Sequence, residues 1–212
     1  MTTRSQRTQI VLKSKRELSV RRFHPWIFSG AVERVDGPVT PGDLVTVLSH
    51  QGDQLGTGHY GEGSIAVKVI AFGDTEPDSS FWERSFENAF GLRKRLGLAS
   101  SSDTTAYRVI HGEGDGLPGL IVDRYNDTFV AELQSPGMER SREFIEAAIT
   151  KIFGKESKIV FRSNQAAEAS PALIETVREN GLLFFVDVQT GQKTGFFLDQ
   201  RDNRLLCQRY AS

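Results

Sequence analysis

A rhythm of short apolar runs and tight turns over the first 73 residues constrains the fold more than any other feature of this chain. Thr8 to Leu12 is a brief apolar run, Asp43 to Leu48 reads DLVTVL, and Ile65 to Phe72 reads IAVKVIAF with Lys68 as its one charge. Between these runs lie Pro41-Gly42, Gly52-Asp53 and Gly61-Glu62-Gly63, which supply turn chemistry. Runs this short bury too little as helices but suit strands, and several of them at such spacing predict a small β-barrel.

The stretch GDTEPDSS, residues 73–80, reads as a linker. Ser80 and Glu83 have capping-box spacing, so a helix is expected to begin at Ser80, with Trp82, Phe86, Ala89 and Phe90 on one face and Gly97 as its stop. Ala106–Ile110, Leu120–Tyr125 and Phe129–Leu133 predict a three-stranded meander whose last turn is Asn126-Asp127. A second helix carries Phe144, Ile145, Ala148, Ile149 and Ile152 and stops at Gly154; a strand follows at Lys158–Phe161. These lengths predict a two-layer α+β domain. Residues 162–180 are small and polar with no clear pattern, and Leu182–Val188 is a strand. Asp199 is placed to cap a last helix, through Asp202, with Leu205, Leu206 and Tyr210 as its buried side.

Hydrophobic residues make up 38% and charged residues 25% of the 212, which argues for a packed core and against global disorder. No run approaches the roughly 18 residues needed to span a bilayer, and the N-terminal stretch has no apolar core of signal-peptide length. A cytoplasmic protein is expected. One cysteine, Cys207, leaves neither a disulfide framework nor a cysteine zinc cage, and no metal is expected. The net charge of −1 conceals an asymmetry. Residues 1–28 hold Arg4, Arg7, Lys13, Lys15, Arg16, Arg21 and Arg22 against Glu17 alone, a local charge of +6 on a chain otherwise acidic. Such an end suits a polyanion, although a solvated basic tail or a site for acidic protein surfaces has the same charge.

Within that end, Arg21-Arg22-Phe23-His24-Pro25-Trp26-Ile27-Phe28 combines cations with aromatic rings. RNA readers need both, because unpaired bases stack on flat side chains while cations hold phosphates. Arg21, Arg22 and His24 are candidates for that role, with Lys15, Arg16 and Trp26 beside them; Ile27 and Phe28 are expected in the barrel core. The glycine-rich GEGDGLPG, residues 112–119, lies between strands and matches no phosphate-loop spacing, so it reads as a turn, with His111 structural. In GQKTGFFLDQRDNR, residues 191–204, a glycine-flanked turn leads into a helix. It reads equally as the rim of a ligand pocket, formed by Thr194, Gly195 and Gln200, or as an ordinary helix start with aromatic packing. Cys207 is the residue type for cytosine C5 chemistry, in which a thiolate adds to C6. Its neighbours Leu205 and Leu206 predict instead a buried, inert thiol.

Three segments taken in order resemble one family: LKSKRELSVRRFHPWIFSGAV (12–32), YRVIHGEGDGLPGLIVDRYNDTFVAELQ (107–134) and ENGLLFFVDVQTGQKTGFFLDQRDNR (179–204). They are similar to the bacterial class I S-adenosylmethionine-dependent 23S rRNA (cytosine-C5) methyltransferases with an N-terminal PUA domain, and to their N-terminal half only. The resemblance implies an α+β chain: a PUA-like RNA-binding barrel over 1–73, a central α+β domain over 80–178, and over 179–212 the first edge of a Rossmann-like methyltransferase domain. It implies ribosomal RNA as partner and S-adenosyl-L-methionine as cofactor, with Thr194, Gly195, Phe196 and Gln200 bordering the methyl-donor site. Between Ser163 and Glu179 the chain is shorter than the family pattern, so a strand and hairpin there are expected to be trimmed or rearranged. The family's methyl-donor loop, its Asp-Pro-Pro motif and its catalytic cysteine do not occur in residues 1–212. The chain alone is therefore expected to be inactive, either as the RNA-recognising part of such an enzyme or as a stand-alone RNA-binding module. A strand such as LLFFVDV without its full sheet also leaves homodimer formation as one way to cover an edge.

Overall fold

The computed structural model describes residues 7–163, 171–208 and 210. Arg4, and residues 164–170 of the stretch that the sequence leaves open, lie outside the described residues. The chain is α+β and divides into two compact units. No helix among the described residues is long and apolar enough to cross a membrane.

The first unit comprises Met1–Ser85, Gly112–Gly119 and Gln134–Ile145. Its sheet contains β1 (Gln9–Leu12), β2 (Trp26–Phe28), β3 (Val32–Asp36), β4 (Leu44–Leu48), β5 (Gln54–Tyr60) and β6 (Ile65–Phe72). Their order is β2-β6-β5-β4-β1-β3, with β1 parallel to β4 and the other ladders antiparallel. The expected barrel is thus a curled, open sheet with β2 and β3 at its ends. Alternate residues Ile10, Leu12, Val45, Val47, Val67 and Val69 fill its concave side with Ile27 and with Val20 from the single-turn α1 (Leu18–Arg21). Curling depends on glycine in β5: a Cβ at Gly56 or Gly58 would sit 2.5 Å from the carbonyl oxygens of Ala71 and Lys68 on β6. Phe28 departs from expectation. In a strand whose side chains alternate, Ile27 takes the inward position at 2% exposure, and Phe28 is left 50% exposed.

The helix after the linker, α2, spans Ser79–Arg95. Its cap is Asp78 rather than Ser80, because the Asp78 carboxylate accepts from Phe81 N–H at 2.9 Å and from the Ser80 hydroxyl at 2.8 Å. The cap is therefore two residues earlier than the capping-box spacing suggests. At the other end Gly97, with φ of 75°, donates to Lys94 O while Leu98 N–H reaches Arg93 O. That is a Schellman stop. Also in the first unit, Ser135 caps the short α3 (Pro136–Arg140) by accepting from Met138 N–H. Gly137 lies so close to the buried His59 that a Cβ there would be 2.1 Å from the ring.

The second unit comprises Phe86–His111, Leu120–Leu133 and Glu146–Ser212. Strands β7 (Ala106–His111), β8 (Leu120–Tyr125) and β9 (Thr128–Leu133) form the expected meander, and β10 (Lys158–Ser163) joins parallel to β9 after α4 (Arg142–Phe153). Phe153 packs against Phe90 and Phe129 with centroids 4.6 and 4.5 Å apart. Within the stretch expected to be trimmed, β11 (Ile174–Glu179) forms a hairpin with β12 (Leu182–Asp187), the strand expected after it. It is tied down by Thr105 N–H to Arg178 O at 2.9 Å, by Thr128 Oγ1 to Glu175 at 2.6 Å and by Asn126 Nδ2 to Thr176 O at 2.9 Å. Val177, Val186 and Val188 then join Ala106, Tyr125 and Val130 in one core.

The last helix, α5 (Arg201–Gln208), differs from expectation on its apolar side. Leu205, Leu206 and Tyr210 are 41%, 48% and 81% exposed, and Cys207 is exposed rather than buried. What anchors α5 is polar. Arg204 makes a two-pronged pair with the buried Glu179 at 2.6 and 2.7 Å, and Arg201 donates to Asn180 Oδ1 and Thr104 Oγ1.

Candidate functional site

In the first unit a groove of about 380 Å³ runs beside α1 and β2, lined among others by Lys15, Arg16, Trp26, Phe28 and Gly30. Outward alternation in β2 aims Trp26 and Phe28 at it, while Lys15, held at φ of 67° in the turn before α1, and Arg16 supply its positive edge. No carboxylate among the described residues pairs with Lys15, Arg16 or Arg22, so these cations stay available to an anion.

Three of the six RNA-binding candidates, Lys15, Arg16 and Trp26, thus meet in one groove. The others stand around it. Arg21 pairs with Asp53 at 2.8 Å on the exposed surface, an interaction worth about 0–1 kcal/mol and easily exchanged for phosphate. Arg22 closes α1. His24 supports the tryptophan: Trp26 N–H donates to His24 Nδ1 at 3.2 Å, and the two rings meet edge to face at 6.1 Å. Sequence reasoning missed two further members. Phe28 was assigned to the core, and Glu113, which accepts the Trp26 Nε1–H at 2.9 Å, comes from the glycine-rich turn. Phe23, 72% exposed with φ of 63°, adds another outward ring and packs edgewise on Phe72 at 5.3 Å.

The 191–204 stretch in the second unit is a packed joint. Thr194 is fully buried and donates to Asp123 Oδ2 at 2.5 Å. With that proton engaged, the Tyr125 phenol donates to Thr194 Oγ1 at 2.9 Å. Asp123, itself fully buried, accepts two bonds from Arg108 at 2.8 and 3.0 Å. These bonds raise the pKa of Arg108, and burial followed by the Asp123 charge pushes that of the Tyr125 phenol up. Gly191 and Gly195 press on the Asp187 carbonyl oxygen, where a Cβ would sit 2.3 and 2.7 Å away. The Asp187 carboxylate holds the same turn through the hydroxyl and N–H of Thr190, which lower its pKa to about 2. Phe196 lies under the Arg204 guanidinium at 4.2 Å and against Phe184 at 5.1 Å. Lys193 pairs with Asp199 at 3.1 Å, which lowers the pKa of that carboxyl, and sits over the Phe197 ring.

Of the four residues expected to border a methyl donor, Thr194 therefore faces the core, Gly195 and Phe196 are half-buried in the joint, and only Gln200 has an exposed side chain. As they stand, these four fit a border beside a ligand, not an enclosing pocket. Next to them, a second groove of about 340 Å³ is lined by Leu96, Tyr107, Arg108, Leu198, Asp199 and Arg201 among others.

Comparison with known proteins gives the chain relatives in sequence and in fold. Residues 10–72 match the family model described as a PUA-like domain. Over 96% of its length the chain is 39% identical to the ribosomal RNA large subunit methyltransferase I of Alteromonas mediterranea, covering 54% of that protein. It is 38% identical to the protein of the same name from Klebsiella pneumoniae, again over 96% of this chain and 54% of the relative. The resemblance drawn from the sequence is thus borne out, and the chain spans about half the length of the curated relatives it matches. Among solved structures, a Streptococcus mutans protein assigned as a SAM-dependent methyltransferase superposes with a TM-score of 0.76 at 22% identity, over 92% of this chain and 52% of that one. A second, assigned as a methyltransferase and complexed with SAH, gives 0.74 at 22% identity over the same shares. At that identity the likeness is one of fold.

Proposed function

We propose that this chain is the RNA-recognising part of an S-adenosylmethionine-dependent methyltransferase that modifies C5 of a cytosine in 23S rRNA. The observation that carries the RNA part is the groove in which Lys15, Arg16, Trp26 and Phe28 meet, with no carboxylate among the described residues paired to either cation. Residues 1–73 dock ribosomal RNA in the cytoplasm, with Arg21, Arg22 and His24 around the groove. Residues 80–178 form the central domain, and residues 179–212 lead into the methyltransferase domain. S-adenosyl-L-methionine supplies the methyl group when bound. The exposed Gln200 amide, backed by the fixed turn of Gly195 and Phe196, borders its site, while Thr194 holds that turn from behind. Support for the activity is the similarity to the rRNA large subunit methyltransferases. Because no catalytic cysteine motif stands in these 212 residues, they transfer no methyl group unaided.

Titration with a 23S rRNA fragment at several salt concentrations tests the docking reading. If Lys15, Arg16, Arg21 and Arg22 each neutralise one phosphate of an unpaired strand, log K falls against log salt with a slope of about −3. Replacing any one by Ala reduces that slope by about 0.7. No binding at low salt refutes the reading, and methyl transfer by the chain alone refutes the division of labour.

A further inference from the structure

The glycine-rich turn 112–119 has no part in the function so far, yet its Glu113 holds Trp26, which lines the groove. We infer that Trp26 and Phe28 form a stacking platform for one unpaired RNA base, and that Glu113 is the positioning residue that sets the Trp26 ring for it. The inference rests on the RNA-docking reading and adds a substrate class: single-stranded RNA over duplex.

Four observations lead there. First, both rings come from alternate positions of the same strand and line the same groove, with Phe28 half exposed at the surface. Second, an indole has one hydrogen-bonding group, its N–H, and in Trp26 that group is engaged by Glu113 at 2.9 Å. The ring can therefore offer RNA only a π face. Third, that ring is fixed on two sides, by Glu113 at its edge and by the His24 ring at 6.1 Å, so little rotamer freedom is left to lose when a base arrives. Fourth, Lys15 and Arg16, which pair with no carboxylate among the described residues, line the same groove and can take a flanking phosphate. A duplex can use the cations but not the rings, since its bases are stacked on one another and the deep groove of A-form RNA excludes side chains. A groove of about 380 Å³ also suits a single nucleoside.

The sequence of GEGDGLPG accords with this role. Gly112, Gly116 and Gly119 all have positive φ, which lets the turn fold tightly and bring Glu113 to the Trp26 indole. A turn that cradled phosphate would not place a carboxylate at the groove.

The test uses the 212-residue chain and fluorescence anisotropy with an unstructured oligoribonucleotide and its blunt duplex, at equal salt. Single-stranded RNA is expected to bind at least about tenfold more tightly, since stacking one base on an aromatic side chain is worth about 5- to 150-fold in affinity. Phe28→Ala, at an exposed position, should remove most of that preference and leave duplex binding unchanged. Gly30→Leu fills the groove from a position where a Cβ meets open space, and should do the same without touching a ring. Glu113→Ala should lower single-strand affinity several-fold, whereas Glu113→Gln, which keeps an acceptor for the indole, should restore it. A general charge effect predicts the opposite, because removing a carboxylate raises affinity for both RNAs. Equal binding of single strand and duplex, or a preference that survives both Phe28→Ala and Gly30→Leu, overturns the inference while the RNA-docking reading stands. Failure to bind either RNA at low salt overturns both.

Discussion

His59 makes the stability of the first unit depend on pH in a window where no other perturbed group among the described residues titrates. Its ring is 4% exposed on β5, against Gly137 of α3. Ser141 Oγ lies 3.4 Å from Nε2 and donates its own proton to Gly137 O at 2.9 Å, so it can only accept from the imidazole. The neutral ring therefore carries its hydrogen on Nε2, and Nδ1 is a buried acceptor without a partner. A second proton would go onto Nδ1, with nothing to receive it. Burial foremost, then the charges of Lys68 on β6 and Arg140 on α3, push its pKa from 6.5 down to about 4. Because the folded value is the lower one, the unfolded chain binds the proton first. Stability is then complete above pH 6.5, falls between 6.5 and 4, and levels off below. From pH 7.5 to 4.5 the loss is about 2.5 kcal/mol. With a urea slope of about 2.5 kcal/mol/M, that lowers the midpoint by about 1 M. Urea unfolding of the wild type and of His59→Phe at several pH values isolates the effect, since the variant keeps a ring and loses the titration. The depressed carboxyls of Asp43, Asp78, Asp187 and Asp199 start from 3.8 and lose their contribution only as pH falls further. Parallel wild-type and variant curves, or an NMR titration of His59 at or above 6.5, would refute the reasoning.

Four other outcomes follow from packing and exposure. Gly137→Ala forces a methyl to within 2.1 Å of the His59 ring and should cost about 1–3 kcal/mol in urea unfolding; His59→Ala in the same chain should recover most of it, which a double-mutant cycle reads directly. Asp123→Ala strands the Arg108 guanidinium and should cost about 3 kcal/mol, at the low end for a buried pair because the Arg108 side chain keeps 28% exposure. Thr194→Val removes one donor from the same cluster, should cost about 1–3 kcal/mol, and should speed amide hydrogen exchange over residues 191–198. Cys207 should take up one equivalent of a thiol reagent in the native protein with no denaturant added.

Wherever one face of an element was buried, its pattern was legible in the sequence. IAVKVIAF, the meander and α4 read correctly because burial imposes a period of two or 3.6 on the residues themselves. Two kinds of error came from local rules applied without the partner element. Phe28 was assigned to the core on hydrophobicity, but the inward position of β2 goes to Ile27, and strand alternation forces its neighbour out. Leu205, Leu206 and Cys207 were expected to be buried on the pattern of α5, which is instead held by Arg201 and Arg204 reaching Thr104, Asn180 and Glu179. Such a polar anchor leaves no periodic trace, since its partners are up to 97 residues away in sequence. The same holds for the candidate site. Lys15, Arg16 and Trp26 stood out because charge and aromaticity are properties of single residues. Glu113, 87 residues from the indole it holds, did not, and neither did the Asp123–Thr194 bond that packs KTGFF against the core. Residue chemistry thus exposed the surfaces that meet a ligand, while the long-range hydrogen bonds that orient them needed the fold.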